Sequence, residues 1–401
     1  MKILQINTVY AKGSTGKIAH QIQEVLLSQG HQGCVAYRYA ENGHLENTYE
    51  ISTWWDCHVH NRLARYTWLI GCFSRIRTKK FCRFLDKEQP DIIHLHNLHG
   101  SYINLPILFK YIKSHHIPMI WTLHDCWSFT GHCPYFDIAH CDKWKTGCHN
   151  CPQYREYPQS LFDNSKFMWK LKKKWFTGVE NMTIVTPSQW LADLVKQSYL
   201  KDYPVKVINN GIDLSVFKPA DSDFREKYHI SADKEILLGV AFGWGKRKGL
   251  DVFLELDKRL DAEKYQIVLV GTDDAVDKQL PENIISIHRT QNQQELAEIY
   301  SAADLFVNPT REENYPTVNM ESIACGTPVL TFNTGGSPEI PDDTCGAVVP
   351  CDDVDAMERE IVRICRDKPF TKEVCLARAK AFDMNDRFEE YVELYKEVLH
   401  E

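Results

Sequence analysis

Residues 309–328 read P-T-R-E-E-N-Y-P-T-V-N-M-E-S-I-A-C-G-T-P and are flanked by two short apolar segments, 305–307 and Val329–Phe332. Apolar runs of this length are typical of strands that are buried on both faces of a parallel sheet. Pro316 suits the first turn of a helix, and Gly326 suits its exit. The stretch therefore predicts a strand, a loop, a short helix and a second strand, which is the repeating unit of a doubly wound α/β sheet.

Two glutamates in this stretch, Glu313 and Glu321, have seven residues between them. Glu313 falls in the loop, and Glu321 falls about a turn and a half into the predicted helix. The first turn of a helix presents unpaired N–H groups and the positive end of the helix dipole, which suit a phosphate. Carboxylates beside a phosphate can accept hydrogen bonds from the hydroxyls of a sugar nucleotide. Solvated glutamates in an ordinary unit of this kind would give the same pattern.

The rest of the chain shows the same alternation of apolar strands with helices. In the first half, strands are predicted at 2–7, 33–37, 92–96, 119–123 and 183–186, with a glycine loop at 13–16 and a helix at 18–27. In the second half, strands at 236–241, 266–270 and 305–308 alternate with helices at 250–260 and 292–302. We predict a Rossmann-like N-terminal domain at 1–205, a Rossmann-like C-terminal domain at 206–383, and an amphipathic last helix within 384–401.

The composition indicates a folded protein of two or three domains. The chain has 401 residues, 43% of them hydrophobic. No apolar run reaches the roughly 18 residues that predict a transmembrane helix, and the first residues run into a strand rather than a signal peptide. We therefore expect a cytoplasmic protein in which most of the 14 cysteines are reduced. Cys34, Cys325 and Cys365 lie in apolar segments and are expected in the core.

Charge is distributed unevenly along the chain. Residues 1–200 carry a net charge of +8 and the remainder a net charge of −15, so the first half suits an anionic partner such as a membrane surface or a lipid diphosphate. Residues 62–83 contain seven basic residues and no acidic one, among Tyr66, Trp68, Ile70 and Phe81. This pattern favours a peripheral position on the inner face of the cell membrane, although a solvated charged face would share it. No nucleic acid is expected as a partner.

The loop G-S-T-G-K at 13–17 does not form a nucleoside-triphosphatase motif. That motif needs Gly at position 11 and Ser or Thr at position 18, where the chain has Ala11 and Ile18. The chain also contains no G-x-G-x-x-G dinucleotide fingerprint. Gly13 and Gly16 can still let the backbone approach a bound ligand.

Several histidines follow predicted strands. The segment T-L-H-D-C-W at 122–127 places His124 and Asp125 at the carboxyl end of a strand, where open parallel sheets bind ligands. A structural histidine that caps the strand is the alternative. His94, His96 and His99 end another strand. A metal site is conceivable there, but a packed position or one that lines the acceptor site is the favoured interpretation.

Four cysteines cluster in a short, turn-rich segment: Cys133, Cys141, Cys148 and Cys151. Four thiolates can bind zinc tetrahedrally, and a segment poor in apolar periodicity gains stability from a metal. Reduced thiols in a loop are the equally weighted alternative, and any zinc would be structural. Three histidines are further candidate ligands: His132, His140 and His149.

Three segments resemble the retaining glycosyltransferases of family 4: T-L-H-D-C-W at 122–127, I-N-N-G-I-D-L-S-V-F-K-P at 208–219, and the stretch 309–339, which ends in T-G-G-S-P-E. Within this family, the chain resembles bacterial capsular and exopolysaccharide enzymes of the colanic-acid type. The resemblance implies a GT-B fold, with two Rossmann-like domains, a cleft between them and a last helix that returns to the first domain. It implies transfer of a hexosyl group, with retention, from a nucleotide-diphosphate sugar to a glycan or lipid-linked glycan. UDP is the expected nucleotide, and no cofactor is implied for catalysis.

The resemblance also implies roles for individual residues. Glu321 would accept hydrogen bonds from the ribose, Glu313 would orient the sugar hydroxyls, and Lys248 would stabilise the departing diphosphate. His124 would touch the transferred sugar. Asp125 and His96 would lie on the acceptor side. The other implied donor-binding positions are Gly13, Gly16, Asn210, Arg247, Asn314, Tyr315, Pro316, Thr317, Gly335 and Gly336. The family pattern needs no enzyme nucleophile, because the acceptor attacks from the face of the leaving group.

One position departs from the family pattern. The family usually has an arginine after the first strand of the second domain, and Gly243 stands at that position here. The following Lys248-Gly249 matches, and Arg247 or Lys246 are candidates to compensate. The departure keeps open a non-catalytic protein that binds sugar nucleotides or glycans on the same scaffold.

Overall fold

The computed structural model describes residues 1–40 and 46–400, which form two compact units. The first unit comprises Met1–Asn209 and the chain from Arg387 onward, and the second comprises Asn210–Asp386. The boundaries that the sequence predicts, 205/206 and 383/384, fall near these transitions.

Parallel strands form the sheet of the first unit. The strands are β1 (Lys2–Tyr10), β2 (Gln32–Ala40), β3 (Thr48–Glu50), β4 (Ile92–Leu95), β5 (Met119–Thr122), β6 (Met182–Thr186) and β7 (Val205–Val207). Their order across the sheet is β3-β2-β1-β4-β5-β6-β7, and every pairing is parallel. The helices are α1 (Gly13–Ser28), α2 (Trp54–Thr67), α3 (Arg75–Glu88), α4 (Leu105–His115), α5 (Ser165–Phe176) and α6 (Gln189–Val195).

The second unit repeats this architecture. Its strands are β8 (Glu235–Val240), β9 (Tyr265–Val270), β10 (Ile285–Ile287), β11 (Leu305–Asn308), β12 (Val329–Phe332) and β13 (Gly346–Val349). They pair in parallel in the order β10-β9-β8-β11-β12-β13. The helices are α7 (Phe224–Lys227), α8 (Leu250–Arg259), α9 (Asp274–Asp277), α10 (Gln293–Ala302), α11 (Thr317–Ala324), α12 (Val354–Asp367) and α13 (Lys372–Ala379).

The central strands are buried along their whole length, as the apolar runs predict. Every residue of β4, β5, β11 and β12 is buried, because helices cover both faces of a parallel sheet. Cys34, Cys325 and Cys365 are also buried, which confirms their predicted place in the core. The predicted doubly wound α/β class is therefore confirmed for both units.

The last helix, α14 (Met384–Leu399), packs its aromatic face onto the first sheet. The hydroxyl of Tyr395 donates to Nδ1 of His94 at 2.7 Å, and Nε2 of His94 donates to the hydroxyl of Thr122 at 2.8 Å. The Thr122 hydroxyl donates in turn to that of Tyr391 at 3.2 Å. This buried chain of hydrogen bonds fixes α14 to β4 and β5, and it uses both ring nitrogens of His94.

The structure corrects two details of the sequence analysis. Residues 13–16, predicted as a loop, form the first turn of α1, and Gly13 begins it at φ 61°. Trp68, Ile70 and Phe81, expected on a membrane-facing surface, are buried in the core of the first unit. Among the described residues, no helix has both the length and the apolarity needed to cross a bilayer.

Candidate active site

The order of the second sheet reverses between β8 and β11, because β9 and β10 continue on one side and β12 and β13 on the other. Open parallel sheets bind ligands outside the carboxyl ends of the strands at such a reversal. The segments that leave these two ends are 241–249 and 309–316. They carry Lys248 and Glu313, which the topology therefore brings to the same edge of the sheet.

Lys248 and Glu313 form an ion pair between these two segments. Nζ of Lys248 donates a hydrogen bond to Oε2 of Glu313, and the side chains are only 17% and 19% exposed. The backbone N–H of Asn314 donates to Oε1 at 3.3 Å. Burial alone would raise the pKa of Glu313, but the charge and hydrogen bond of Lys248, with help from Arg247 and Asn314, lower it overall. Glu313 is therefore ionised at neutral pH.

Arg311 fixes the segment that carries Lys248. Its buried guanidinium donates two parallel hydrogen bonds to Asp251, in the first turn of α8, at 2.7 and 2.8 Å, and pairs with Asp352 at 2.5 Å. Its backbone N–H donates to the carbonyl of Arg247 at 2.9 Å. A bidentate pair of this kind holds its partners rigidly. The sequence analysis missed Arg311, because its acidic partners are 60 and 41 residues away and no local pattern links them.

The cations near Glu313 come from the segment that follows Gly243. Gly243 has φ 80°, and a Cβ atom there would have no neighbour within 4 Å. Arg247 is exposed, and its guanidinium donates to the carbonyl of Glu312 at 3.2 Å. Of the two candidates to compensate for the missing arginine, the structure thus brings Arg247 next to the Glu313 loop. Lys246 is also exposed, in the same 3-10 turn.

Glu321 lies on the buried side of α11. The helix starts at Thr317, after Pro316, which caps it in an extended conformation. Glu321 is 9% exposed, and the hydroxyl of Tyr300 in α10 donates to its Oε2 at 3.2 Å. The phenol therefore holds the Glu321 carboxylate one turn inside the helix.

Asn210 contacts the segment 309–316, which carries Glu313, although it lies far from that segment in the sequence. Its amide donates to the carbonyl of Tyr315 at 3.4 Å, across a separation of 105 residues. Asn210, Asn314 and Tyr315 are all buried. The predicted donor residues of the second unit therefore share one packed loop region, with Lys248 and Glu313 as its charged pair.

Gly335 touches the backbone of Glu313. A Cβ atom on Gly335 would lie 1.7 Å from the carbonyl oxygen of Glu313, and its φ of 56° is left-handed. Only glycine allows this approach without displacing the loop. Gly336 follows and caps the 3-10 turn Ser337–Glu339. The segment after β12 thereby supports the Glu313 loop.

The first sheet also reverses its strand order, between β1 and β4, and a row of hydrogen-bonded side chains lies at that edge. Nε2 of His96 donates to Oε1 of Gln5 at 3.0 Å, while Nε2 of Gln5 donates to the carbonyl of Ala19 at 3.0 Å and so fixes the amide orientation. Nδ1 of His96 then accepts from Nε2 of His124 at 3.1 Å. Gln5 therefore sets the tautomers of both histidines.

Burial keeps these histidines neutral. It lowers the pKa of His124 to about 4, with Asp125 opposing and His99 adding to the shift. It lowers the pKa of His94 to about 3, and that of His96 well below its ordinary value. His124 is thus a neutral hydrogen-bonding group at pH 7.

Asp125 is paired with His99. Nε2 of His99 donates to Oδ2 of Asp125 at 2.9 Å, and the backbone N–H of Trp127 donates to Oδ1 at 2.8 Å. Burial alone would raise the pKa of Asp125, but His99 and the Trp127 N–H lower it overall. The other ring nitrogen of His99 meets the hydroxyl of Tyr157 at 3.2 Å. The sequence analysis placed Asp125 at this edge but did not predict its pairing with His99.

The glycines at the start of α1 differ in their surroundings. A Cβ atom on Gly16 would lie 3.2 Å from Cγ2 of Val9, whereas one on Gly13 would have no neighbour within 4 Å. Gly16 is buried, and its carbonyl accepts from the N–H of Ala11 at 3.0 Å. Gly13 therefore leaves the start of α1 accessible, and Gly16 packs it against β1.

The four clustered cysteines line a single cavity of the first unit, together with His132 and His149. Within residues 1–40 and 46–400, one group of three potential metal-ligating atoms lies within 4.8 Å of one another, and it is the exposed set Asp274, Asp277 and His288. His94, His96 and His99 do not form such a group in that part of the chain.

Two family models match the chain. The model of Glycosyltransferase Family 4 matches residues 16–216, and that of Glycosyl transferases group 1 matches residues 234–367. The first match alone spans half of the chain. The chain therefore belongs to glycosyltransferase family 4.

A curated relative and two solved structures match nearly the whole chain. The chain is 25% identical to the "Putative colanic acid biosynthesis glycosyl transferase WcaC" of Escherichia coli K12, over 99% of this chain and 100% of the relative. Its fold is similar to that of sucrose-phosphate synthase from Thermosynechococcus elongatus, with a TM-score of 0.72, 18% identity, and coverage of 100% and 99% of the two chains. It is also similar to Anabaena Alr3699/HepE in complex with UDP-glucose, with a TM-score of 0.67, 15% identity, and coverage of 98% and 99%. These structural likenesses confirm the predicted GT-B fold class.

Gly335→Ala is expected to destabilise the second unit and to displace the Glu313 loop. A left-handed alanine costs about 1–3 kcal/mol, and the added methyl would also clash with the Glu313 carbonyl. Differential scanning calorimetry should show a lower Tm. Gly245→Ala is the matched control, because its Cβ would meet no atom within 4 Å and its φ of 177° is extended. Equal Tm values for the two variants would contradict the close packing of Gly335.

Acid is expected to destabilise the first unit from about pH 6.5 downward. The unfolded state protonates its histidines near pH 6.5, whereas folded His124 and His94 stay neutral to about pH 4 and 3. The unfolded state therefore binds more protons than the folded state in this window. The free energy of unfolding is highest above pH 6.5, and each histidine lowers it by up to about 1.4 kcal/mol for every pH unit below that. Urea unfolding followed by tryptophan fluorescence reports on this unit, which holds nine of the ten tryptophans.

Urea unfolding of His124→Gln over the same pH range should show a free energy of unfolding that depends less steeply on pH between pH 6.5 and 4. His116→Gln is the control, because the His116 side chain is 66% exposed and should leave the slope unchanged. An unchanged slope in His124→Gln would show that His124 is protonated in the folded state.

Proposed function

We propose that the protein transfers a hexosyl group from a nucleoside-diphosphate sugar, with UDP as the nucleotide, to an acceptor hydroxyl with retention of the anomeric configuration. The observation that carries the proposal is the buried Lys248–Glu313 pair at the strand reversal of the second sheet, in a chain that belongs to glycosyltransferase family 4. The complex of Alr3699/HepE with UDP-glucose supports a UDP-sugar as the donor class.

In the proposed donor complex, the diphosphate lies at the first turn of α11, near Lys248 and Arg247. The N–H groups of this turn and the two cations stabilise the charge on the leaving diphosphate. That charge grows as the glycosidic bond breaks, so these interactions favour the transition state over the bound substrate. Glu321 accepts hydrogen bonds from the ribose, and Glu313 accepts them from hydroxyls of the sugar.

Retention follows if the acceptor attacks from the face that the diphosphate leaves. The bond between the anomeric carbon and the phosphate oxygen breaks, and its electrons go to the diphosphate. The bond between the anomeric carbon and the acceptor oxygen forms, and the acceptor proton passes to an oxygen of the departing phosphate. No enzyme carboxylate forms a covalent intermediate, unlike in retaining hydrolases. On the acceptor side, His124 supplies a neutral ring at the transferred sugar and Asp125 lines the acceptor path. The buried His96, bonded through both ring nitrogens, orients His124.

The setting that we propose is the assembly of a surface polysaccharide, such as a capsule or exopolysaccharide. The similarity to a relative named for colanic acid biosynthesis, over 99% of this chain, supports this setting. The acceptor is then a glycan or a lipid-linked glycan.

Thermal stabilisation by UDP, GDP, ADP and CMP tests the donor site. A ligand at about 100 times its Kd should stabilise the folded protein by roughly 2.7 kcal/mol. We expect a Tm increase with UDP. The increase should be smaller with Glu321→Gln, which replaces one acceptor oxygen with a donor, and with Glu321→Ala, which removes both acceptors. Glu263→Gln, at an exposed position of the same unit, is the matched control and should respond like the wild type.

Turnover is measured on the same samples, as release of UDP from UDP-hexoses in the presence of lipid-linked glycan acceptors, with the product anomer assigned by NMR. A well-folded protein that no nucleotide stabilises would contradict the donor site. Binding without transfer would contradict catalysis, and a β-linked product from an α-linked donor would contradict retention.

We propose, in addition, that the first unit binds the surface of an anionic membrane. Residues three, four and eight apart on a helix share a face, and the exposed face of α2 carries Trp55, Val59, Arg62, Leu63 and Tyr66. Trp55 is 71% and Val59 54% exposed. Exposed basic residues of the neighbouring α3 add positive charge: Arg75, Lys79, Lys80 and Arg83. Apolar side chains beside basic ones suit the interface of an anionic bilayer.

Flotation with vesicles tests this surface. The wild type should float with vesicles rich in phosphatidylglycerol, less so with pure phosphatidylcholine, and less at high salt. Trp55→Ser with Val59→Ser should reduce flotation severalfold. Val362→Ser, at an exposed apolar position of the second unit, is the control and should not. Equal flotation of all three proteins would refute this surface.

A further inference from the structure

Four cysteines of the first unit converge on one cavity. A stretch of 19 residues between β5 and α5 in the sequence supplies Cys133, Cys141, Cys148 and Cys151. All four line the same cavity. Cys133 is buried and the other three are half-buried. Nothing in the proposed sugar transfer uses them. We propose that they bind one structural zinc ion as four thiolates.

The chemistry of the ligand set matches zinc. Four cysteine ligands are a standard structural zinc site, with Zn–S bonds of about 2.3 Å. The C-x-x-C pair, Cys148 and Cys151, has the spacing of such sites. The N–H of Gly131 donates to Sγ of Cys148 at 3.2 Å, and an N–H donor of this kind stabilises a thiolate. Gly131 must be glycine here, because its Cβ would lie 2.4 Å from the carbonyl oxygen of Ser165 and 2.9 Å from Cβ of Cys148.

A buried lysine supplies opposite charge. Zinc with four thiolates has a net charge of −2, which is costly to bury without a cation nearby. Lys172 is 1% exposed and lies within electrostatic reach of Cys148 and Cys133. Its ammonium donates to the carbonyl of Trp127 and sits 3.6 Å from the centre of the Trp127 ring. A lysine is rarely buried so completely. Asp125 also acts on its charge, and a tetrathiolate centre adds a second anion.

The segment also needs a stabilising element. Its regular structure among the described residues is the single 3-10 turn Lys143–Lys145. Two aromatic rings of the segment, Phe136 and Trp144, stack at 5.0 Å and pack into the apolar core of the first unit. A metal bound by four side chains from such a segment contributes directly to folding.

The sulfur atoms are loosely grouped and must move closer to bind the ion. Tetrahedral coordination requires sulfur atoms about 3.8 Å apart, and in the described chain no three of these sulfurs lie within 4.8 Å of one another. Binding the ion therefore requires the cysteine side chains to move, for instance by rotation about χ1. His132 lines the same cavity, but its Nε2 donates to the carbonyl of Gln153 at 3.1 Å. Its buried Nδ1 has no hydrogen-bond partner among the described residues.

The test is the zinc content of the full-length protein, purified under reducing conditions without chelators and measured by mass spectrometry of the metal. We expect about one zinc per chain, released by a mercurial that blocks thiolates. Cys148→Ser and Cys151→Ser should lose most of it. Cys72→Ser, half-buried in the same unit, and the exposed Cys351→Ser are the controls, and each should retain one zinc.

Cobalt keeps the proposal testable if the cysteine variants do not fold. Wild-type protein reconstituted with Co²⁺ should show the intense visible bands of tetrahedral cobalt and a sulfur-to-cobalt charge-transfer band scaled to four thiolates. Wild type without stoichiometric zinc or these bands, or cysteines found by mass spectrometry in disulfides, would overturn the proposal. So would full zinc content in both Cys148→Ser and Cys151→Ser. None of these measurements depends on sugar transfer.

Discussion

The parallel pairing of β8 with β11 is the constraint on which the second unit depends. Leu237 and Leu238 pair with Leu305 and Phe306, and the strand order reverses at this pair. The loops that leave the two carboxyl ends therefore meet at one edge. Lys248 and Glu313, 65 residues apart, meet there and form a mostly buried ion pair. Removing one partner of a buried pair leaves an uncompensated charge, at a cost of about 3–5 kcal/mol, so each loop stabilises the other.

The fold could be predicted from the sequence wherever strands are long or clearly bounded. β11 and β12 have the predicted ends, because each is a mostly apolar, fully buried run with proline directly beside it. Short edge strands such as β3 and β10 were missed, since three residues carry no readable pattern. Trp68 and Phe81 show the limit of reasoning from composition. Phe81 lies on the buried face of α3, although Lys80 and Arg83 beside it are exposed. Trp68 is the left-handed C-cap of α2, and its ring is buried in the core.

Single residues of the candidate site could be named from motifs, but their partners could not. Arg311 stands inside the most informative stretch and was passed over, because its role depends on Asp251 and Asp352 in other elements. The sequence does contain a signal for Gln5. It is a polar residue inside an otherwise apolar strand, and a buried amide in such a strand needs a partner. That partner is His96, and it is the pairing of β1 with β4 that brings His96 close to Gln5.

The Lys248–Glu313 pair also bears on how a donor would bind under the proposed function. Before binding, each side chain neutralises the other, so neither charge is buried without a partner. A diphosphate draws the Lys248 ammonium toward itself, and the Glu313 carboxylate then needs a new donor. Hydroxyls of a transferred sugar can supply that hydrogen bond, whereas a free nucleoside diphosphate cannot. A carboxylate that loses its charged partner at a mostly buried site is costly, even though the Asn314 N–H still donates to it. The exchange of partners therefore couples recognition of the phosphate to recognition of the sugar, and it favours an intact sugar nucleotide over the nucleotide that remains after transfer. Arg311 supports this coupling without contacting the donor, because two carboxylates already hold its guanidinium. Its role is to fix the backbone segment that carries Lys248.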